Sequence, residues 1–272
     1  MRNQSRGQGH VPVKILIDFS KIDNRSLVGK VLRFPLRLVP KNWIVPVLQG
    51  PMKGLRWKVG SSNHGCWLGT YELEEQLFFT RVIRQGMVVW DVGANVGVYT
   101  LLFSRLVGVS GAVSAFEPLS SNCDCLIGHI RANGLSNVKV FQTAVSDRKG
   151  LAGFSTCSSN SMGSITRGAS ELMVSTIPLD SLVLEEKYPF PDVIKMDVEG
   201  AEALVLGGSE GILSMGRTRW VVSLHSMEQA DLCEERFRVH RYSLFTLGGS
   251  LIPGPLREAG AADIYAVPPG IE

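Results

Sequence analysis

Val88–Thr100 reads VVWDVGANVGVYT, and this stretch decides the fold. A short apolar run ends in Asp91, crosses Gly93-Ala94-Asn95-Val96-Gly97 and becomes apolar residues at helical spacing. That pattern predicts a buried strand, a tight turn and a helix start. Gly93 and Gly97 suit places where a Cβ would block the turn or the approach of a ligand. The N–H groups at the start of the following helix would face the same ligand. A turn of this kind takes a nucleoside cofactor, either a dinucleotide or S-adenosylmethionine. The dinucleotide fingerprint needs glycines where this chain has Asn95 and Val98, which argues against a pyrophosphate held on the backbone.

Outward from this stretch, strands and helices alternate. Val88–Trp90, Ala112–Phe116 and Val138–Phe141 read as strands. Helices are expected over Tyr99–Leu106, stopped by Gly108, and over Ser120–Asn133, stopped by Asn133-Gly134. DVIKMDVEGAEALVLGG, 192–208, repeats strand, turn and helix, and Trp220–Leu224 is a further strand ending in His225. Tyr242–Leu247 and Ala262–Val267 complete the sheet. The fold class is therefore α/β, a parallel sheet with helices on both faces. Ligands on such sheets sit at the carboxyl ends of strands, near the switch in strand order. Asp91, Glu117 and Asp197 each end a strand and would share that edge. Glu117 follows Gly97 by twenty residues, the separation at which an acidic side chain meets ribose hydroxyls. A carboxylate has acceptor oxygens enough for both hydroxyls of a diol.

Composition narrows the classes. The chain has 272 residues, 44% hydrophobic and 19% charged, values of an ordinary globular protein. A net charge of +3 is too small to argue for a nucleic-acid partner. No apolar run approaches the roughly 18 residues of a membrane span, and no signal peptide is evident, so a cytoplasmic protein without membrane insertion is expected. Cys66, Cys123, Cys125, Cys157 and Cys233 are odd in number and scattered, so no disulfide framework or metal site is expected from them.

The flanks are less regular. Residues 1–50 are read as an N-terminal extension and 51–272 as the main domain. Pro12, Pro35, Pro40, Pro46 and Pro51 break any long helix there. NRSLVGKVLRFPLRLVP alternates basic and apolar residues. A membrane-surface segment is one reading. The favoured one is an extension whose apolar side covers the domain, with no vesicle binding. GPMKGLRWKVG predicts a short hairpin, and Leu73, Leu77 and Phe78 a helix after it. HGCWLGTYE places Trp67, Tyr71 and Glu72 just ahead of the core, where an aromatic ring could lie against a cofactor or pin the extension. Between Gly150 and Pro191, LAGFST and VSTIPLDSL look like extra strands joined by the polar SSNSMGSIT, a reasonable place for substrate contacts.

VVWDVGANVGVYT, AFEP, TAVSD, PLDSL and IKMDVEGAE, in this order and spacing, resemble the FkbM-type S-adenosylmethionine-dependent methyltransferases. GCWLGTYE resembles what precedes the glycine turn in that family. The likeness runs from about Gly50 to His225. It implies a Rossmann-like sandwich, a seven-stranded, mostly parallel sheet whose last strand is antiparallel. It also implies methyl transfer, usually to a hydroxyl oxygen, on sugars, glycans or polyketide-type natural products. Carried onto this chain, Asp91, Gly93, Ala94, Asn95, Gly97 and Tyr99 would surround the amino-acid part of the cofactor. Glu117 and Pro118 would meet the ribose, Ala144, Val145 and Asp147 would lie near the adenine, and Asp197 beneath the methyl group. Tyr71 and Glu72 join the cofactor set.

Methyl transfer from a sulfonium needs an acceptor oxygen aligned with the methyl group and a place for its proton. His225 titrates near pH 6.5 without help, whereas a carboxylate would need burial to become as basic. His225 is therefore the expected base, with Asp197 and Glu199 orienting substrate or cofactor. Asp197 and Glu199 could instead hold a divalent cation, but no third hard ligand is evident, so no metal is expected. Two other classes stay open: a cofactor-binding scaffold without catalysis, and an NAD-dependent oxidoreductase.

Overall fold

The computed structural model describes residues 26, 34–156, 163–166 and 172–271. Cys157, most of the serine-rich loop and much of the basic–apolar segment before Phe34 lie outside the described residues. The chain divides into two compact units, 1–73 and 74–272.

In the N-terminal unit, β1 (Ile44–Pro46) pairs antiparallel with β2 (Arg56–Lys58), Ile44 opposite Lys58 and Pro46 opposite Arg56. The hairpin expected within Gly50–Gly60 thus has its first arm upstream. Gly50 and Gly54 both take positive φ, +76° and +85°, and build the loop between the arms. A short helix, His64–Leu68, follows. The Asn63 side chain accepts from the Gly65 N–H at its start, and Gly69 ends it with φ +79°.

The second unit holds a seven-stranded sheet formed by β3 (Val88–Val92), β4 (Ala112–Phe116), β5 (Val138–Phe141), β10 (Val193–Met196), β11 (Arg219–Ser223), β12 (Ser243–Thr246) and β13 (Asp263–Val267). Their spatial order is β12-β13-β11-β10-β3-β4-β5. The pairs from β11 through β5 are parallel, and β13 runs antiparallel to both its neighbours. The last strand is thus the reversed one, as the family resemblance implied. From β3 the chain builds outward through β4 and β5, then returns to the other side of β3 with β10. The switch point therefore lies between β3 and β10.

Helices cover both faces because strand side chains alternate. Trp90, Val92, Phe116, Ile194, Met196, Trp220 and Val222 are buried with Leu179, Leu206, Leu213, Cys233 and Phe237 from the helices Leu179–Leu184, Glu202–Gly207, Glu210–Ser214 and Met227–Val239. On the other face Ala115 packs with Leu126 of the Ser120–Ala132 helix. Phe78 of the Leu73–Val82 helix meets Tyr265 at 5.1 Å on that face. The Val98–Val107 helix, capped at its end by Gly108, is buried along most of its length. None of the described helices is long and apolar enough to cross a membrane.

The insertion after β5 holds extra strands, as its sequence suggests, and among the described residues they join no part of the main sheet. β6 (Ala144–Val145), β7 (Gly150–Thr156), β8 (Gly163–Thr166) and β9 (Leu172–Ile177) form a separate sheet ordered β6-β9-β7-β8. Met227–Val239 is a full helix that the strand pattern passed over. Only Ala230, Cys233 and Phe237 along it are buried, a narrow stripe in a charged segment. Its start is marked by Ser226, whose hydroxyl accepts the Gln229 N–H at 3.1 Å.

Candidate active site

The site grows from the ends of β3, β4 and β10. β3 is buried from Val89 onward because both faces of the sheet are covered, so Asp91 is taken inside with it, 0% exposed. Burial is the main reason its carboxyl is pushed above the ordinary carboxylate range, and the nearby Lys195 ammonium works against that push. Thr100, in the first turn of the next helix, donates its hydroxyl to Asp91 Oδ2 at 2.5 Å. Asp91 Oδ1 is buried with no hydrogen-bond partner. Replacing Thr100 by valine should cost about 1.5–3 kcal/mol of unfolding free energy, the value of a hydrogen bond to a charged group. Urea denaturation of Thr100→Val checks this.

The turn itself is bonded internally. Gly93 and Ala94 donate to Phe116 O at 3.0 and 2.9 Å, and Gly97 donates to Ala94 O at 2.9 Å. Asn95 donates its backbone N–H to Glu117 Oε2, and its side-chain oxygen accepts the Val96 N–H. The N–H groups of the turn from Gly93 to Gly97 are therefore spent within the chain. A phosphate has no amide cradle between Gly93 and Gly97. The glycines act by shape. Gly93 has φ +83°, and a Cβ there would lie 1.8 Å from the Asp197 carbonyl oxygen. Gly97 has φ +96° and would drive a Cβ to 2.3 Å from Leu126.

Glu117 is buried at the end of β4 and staples the turn to the next helix. Oε1 accepts the Leu119 N–H and the Asn122 side-chain amide, and Oε2 accepts Asn95. Burial pushes its carboxyl up, against these bonds. Three donors leave it less acceptor capacity than a whole diol would use, though Oε2 can take one more.

Lys195, 2% exposed, stands beside Asp91 in the register of β10 and β3. Its ammonium bonds Asp197 Oδ2 at 3.1 Å and lies 4.6 Å from the centre of the Tyr99 ring. The Tyr99 hydroxyl in turn donates to Glu75 at 2.6 Å. Burial raises the Asp197 pKa, but Lys195 and His225 outweigh it and hold the carboxyl below its ordinary value.

His225 follows β11, and its Nε2 lies 3.4 Å from both Asp197 Oδ1 and Glu199 Oε2. Its Nδ1 is 2.6 Å from Oε1 of Glu202, which is fully buried. The Glu202 bond is the largest cause raising the His225 pKa above 6.5, opposed by burial. Glu199 reaches its place on a left-handed backbone, φ +51°, followed by Gly200 at +96°. Asp197, Glu199 and His225 bring three ligand atoms within 4.8 Å of one another. The third donor that the sequence lacked is thus His225.

Of the residues expected from the sequence, Asp91, Gly93, Ala94, Asn95, Gly97 and Glu117 meet around the turn, and Asp197, Glu199 and His225 form a second group beside it. Tyr99 joins the two through Lys195. Pro118 follows Glu117 into the staple. Ala144 and Val145 are buried as β6 of the small sheet. Asp147 is spent on Arg148 and Ser146, and the Arg148 bond is the main cause holding its carboxyl low. Tyr71 and Glu72 belong to the N-terminal unit. The sequence reading missed Lys195, Glu202, Thr100 and Asn122. Lys195 had a signal, a charge inside an apolar strand two residues before an aspartate. Glu202 had none beyond the helix it begins.

Residues 91–239 match the model of the methyltransferase FkbM domain. The chain is 29% identical over 174 residues to the hexuronic acid methyltransferase AglP of Haloferax volcanii, covering 59% of this chain and 70% of that protein. Among solved structures it is similar to the methyltransferase FkbM of Methylobacillus flagellatus KT, with a TM-score of 0.47 and 18% identity over 71% of this chain. It spans 50% of that longer chain. A SAM-dependent O-methyltransferase of Thermotoga maritima matches with a TM-score of 0.44 and 12% identity, covering 73% of this chain and 66% of the other.

Proposed function

The chain belongs to the FkbM methyltransferase family, and from that premise we propose that it moves a methyl group from S-adenosylmethionine to a hydroxyl oxygen of a sugar-type acceptor. The observation that carries this reading is the His225 ring, held at Nδ1 by buried Glu202 while Nε2 stands among acidic side chains at the strand ends.

The residues around Asp91 suit the cofactor. Asp91 Oδ1, buried without a partner, is an acceptor for the ammonium of an amino acid. Glu117 Oε2 keeps room for one ribose hydroxyl. The internally bonded glycine turn has no donors for a pyrophosphate, which counts against NAD. When bound, S-adenosylmethionine supplies a methyl group on a positively charged sulfur. The chain's own part is to orient the acceptor and take its proton. Asp197 and Glu199 can accept hydrogen bonds from sugar hydroxyls, and His225 Nε2 can accept the proton of the attacking one. The imidazolium that results is stabilised by the three carboxylates around it.

The relative acts on a hexuronic acid, which offers both hydroxyls and a carboxylate. A carboxylate acceptor needs no base and would be repelled by Asp197, Glu199 and Glu202. A hydroxyl acceptor uses them. Calorimetry with S-adenosylhomocysteine, with NAD as control, tests the cofactor: micromolar binding of the first and none of the second is expected. Binding of NAD alone would overturn the reading. Turnover of a sugar acceptor by the same preparation separates catalysis from a scaffold role.

No metal is required in this scheme, because the proton goes to His225 and the Lys195 ammonium already offsets part of the acidic charge. Turnover after chelation and dialysis should stay within about twofold, far from the loss that removing a Lewis acid brings. Loss of activity restored by Mg²⁺ or Mn²⁺ would make Asp197, Glu199 and His225 cation ligands instead.

A further inference from the structure

Between Asp23 and Glu72 the sequence holds eight Lys and Arg residues and no Asp or Glu. The whole chain is only +3, so the remainder is net acidic and the positive charge is concentrated in the N-terminal unit. Several large apolar residues of this stretch are turned outward. Phe34 is 62% exposed, Leu38 71%, Trp43 58%, Ile44 50% and Leu48 51%.

The hairpin explains how Ile44 and Leu48 come to the surface. Residues opposite one another in an antiparallel pair share a face. Trp57 is fully buried and faces Val45, so Val45 and Val47 turn inward with it. The outer face carries Ile44 beside Lys58 and Pro46 beside Arg56, and Leu48 continues the alternation. Arg37, on the short helix Pro35–Leu38, and Lys41 are exposed between Phe34, Leu38 and Trp43. Isolated exposed apolar residues are ordinary, but five large ones within fifteen positions, interleaved with cations, are not.

We propose that this face of the N-terminal unit docks on an anionic lipid surface. Apolar side chains flanked by Lys and Arg suit the boundary between headgroups and acyl chains, and tryptophan is favoured at that depth. Charge complementarity selects an anionic surface over a neutral one. A nucleic acid would use the cations but leave Leu38, Ile44 and Leu48 in water. The contact is peripheral, and it stands independently of the methyl-transfer chemistry.

The test is co-sedimentation of the full chain with vesicles of phosphatidylcholine alone or mixed with phosphatidylglycerol, at low and high salt. The protein should pellet with the mixed vesicles at low salt and stay in solution with the neutral ones. Trp43→Ser with Leu48→Ser, and separately Arg37→Glu with Lys41→Glu, should each weaken partitioning by about tenfold or more with the melting temperature unchanged. A wild-type chain that stays in solution with anionic vesicles overturns the proposal. So do variants that pellet as well as the wild type. A vesicle-free dimer that the Trp43 and Leu48 changes dissociate, with no lipid binding, would assign the face to a second copy and overturn it as well.

Discussion

Gly93→Ala is expected to lose more than about 4 kcal/mol of unfolding free energy, together with all measurable S-adenosylhomocysteine binding. Two costs combine at this residue. A side chain at φ +83° pays about 1–2 kcal/mol for the left-handed backbone alone. The Cβ would also lie 1.8 Å from the Asp197 carbonyl oxygen, a backbone atom that cannot swing aside as a side chain can. Relief requires the chain to part just beyond the ends of β3 and β10, next to the pair of Asp91 and Lys195. Gly200→Ala separates the two costs. Gly200 has φ +96° but nothing within 4 Å of the position of its Cβ, so only the backbone penalty of about 1–2 kcal/mol is expected. Urea denaturation of both variants is the measurement. Equal losses in the two would show that the contact with Asp197 contributes nothing.

His225→Ala is expected to lower turnover by about 10²–10⁴-fold, the range for removal of a general base. Glu202→Gln should act through the same ring. A glutamine keeps the shape and can still bond Nδ1, but it removes the charge that raises the His225 pKa. The sign follows from which form works. The base must be neutral, so wild-type turnover should rise with pH along a limb centred above 6.5, the ordinary histidine value. In Glu202→Gln that limb should move down. Its plateau should fall by about tenfold or more, because the imidazolium formed in the reaction loses a carboxylate partner. Glu202→Asp should recover part of the wild-type limb. A purely packing role for Glu202 predicts a lower rate with an unmoved limb, and a His225→Ala rate within threefold of wild type would end the base assignment. The same raised pKa bears on stability. Protonated His225 favours the folded state below the unfolded-state pKa near 6.5, and that contribution is lost as pH rises through the folded value.

Much of the fold was legible because its signals are local. Strands buried on both faces read as near-continuous apolar runs, and Val88–Val92, Ala112–Phe116 and Val193–Met196, each broken by a single polar residue, announce themselves in that way. Met227–Val239 was not legible. Its buried stripe of Ala230, Cys233 and Phe237 is narrow in a charged segment, and packing against the sheet rather than its own pattern makes it a helix. The insertion was read as strands, but nothing within it says whether those strands extend the main sheet or pair among themselves. That outcome depends on which edge is open when they form.

The sequence by itself determined the strand–turn–helix at Val88–Thr100 and the acidic ends of three strands. These depend on residue spacing along one element, and spacing survives without a partner. Only the tertiary structure decided which side chains face one another. Register sets Lys195 beside Asp91, the strand switch brings Gly93 against Asp197, and the turn after β11 delivers His225 to Glu202. It also decided that the turn's N–H groups are consumed internally and that Phe34, Leu38, Trp43, Ile44 and Leu48 lie outside the core. Such contacts join residues distant in the chain, and their energy depends on burial and on the angle between groups. Neither quantity exists until the sheet has closed.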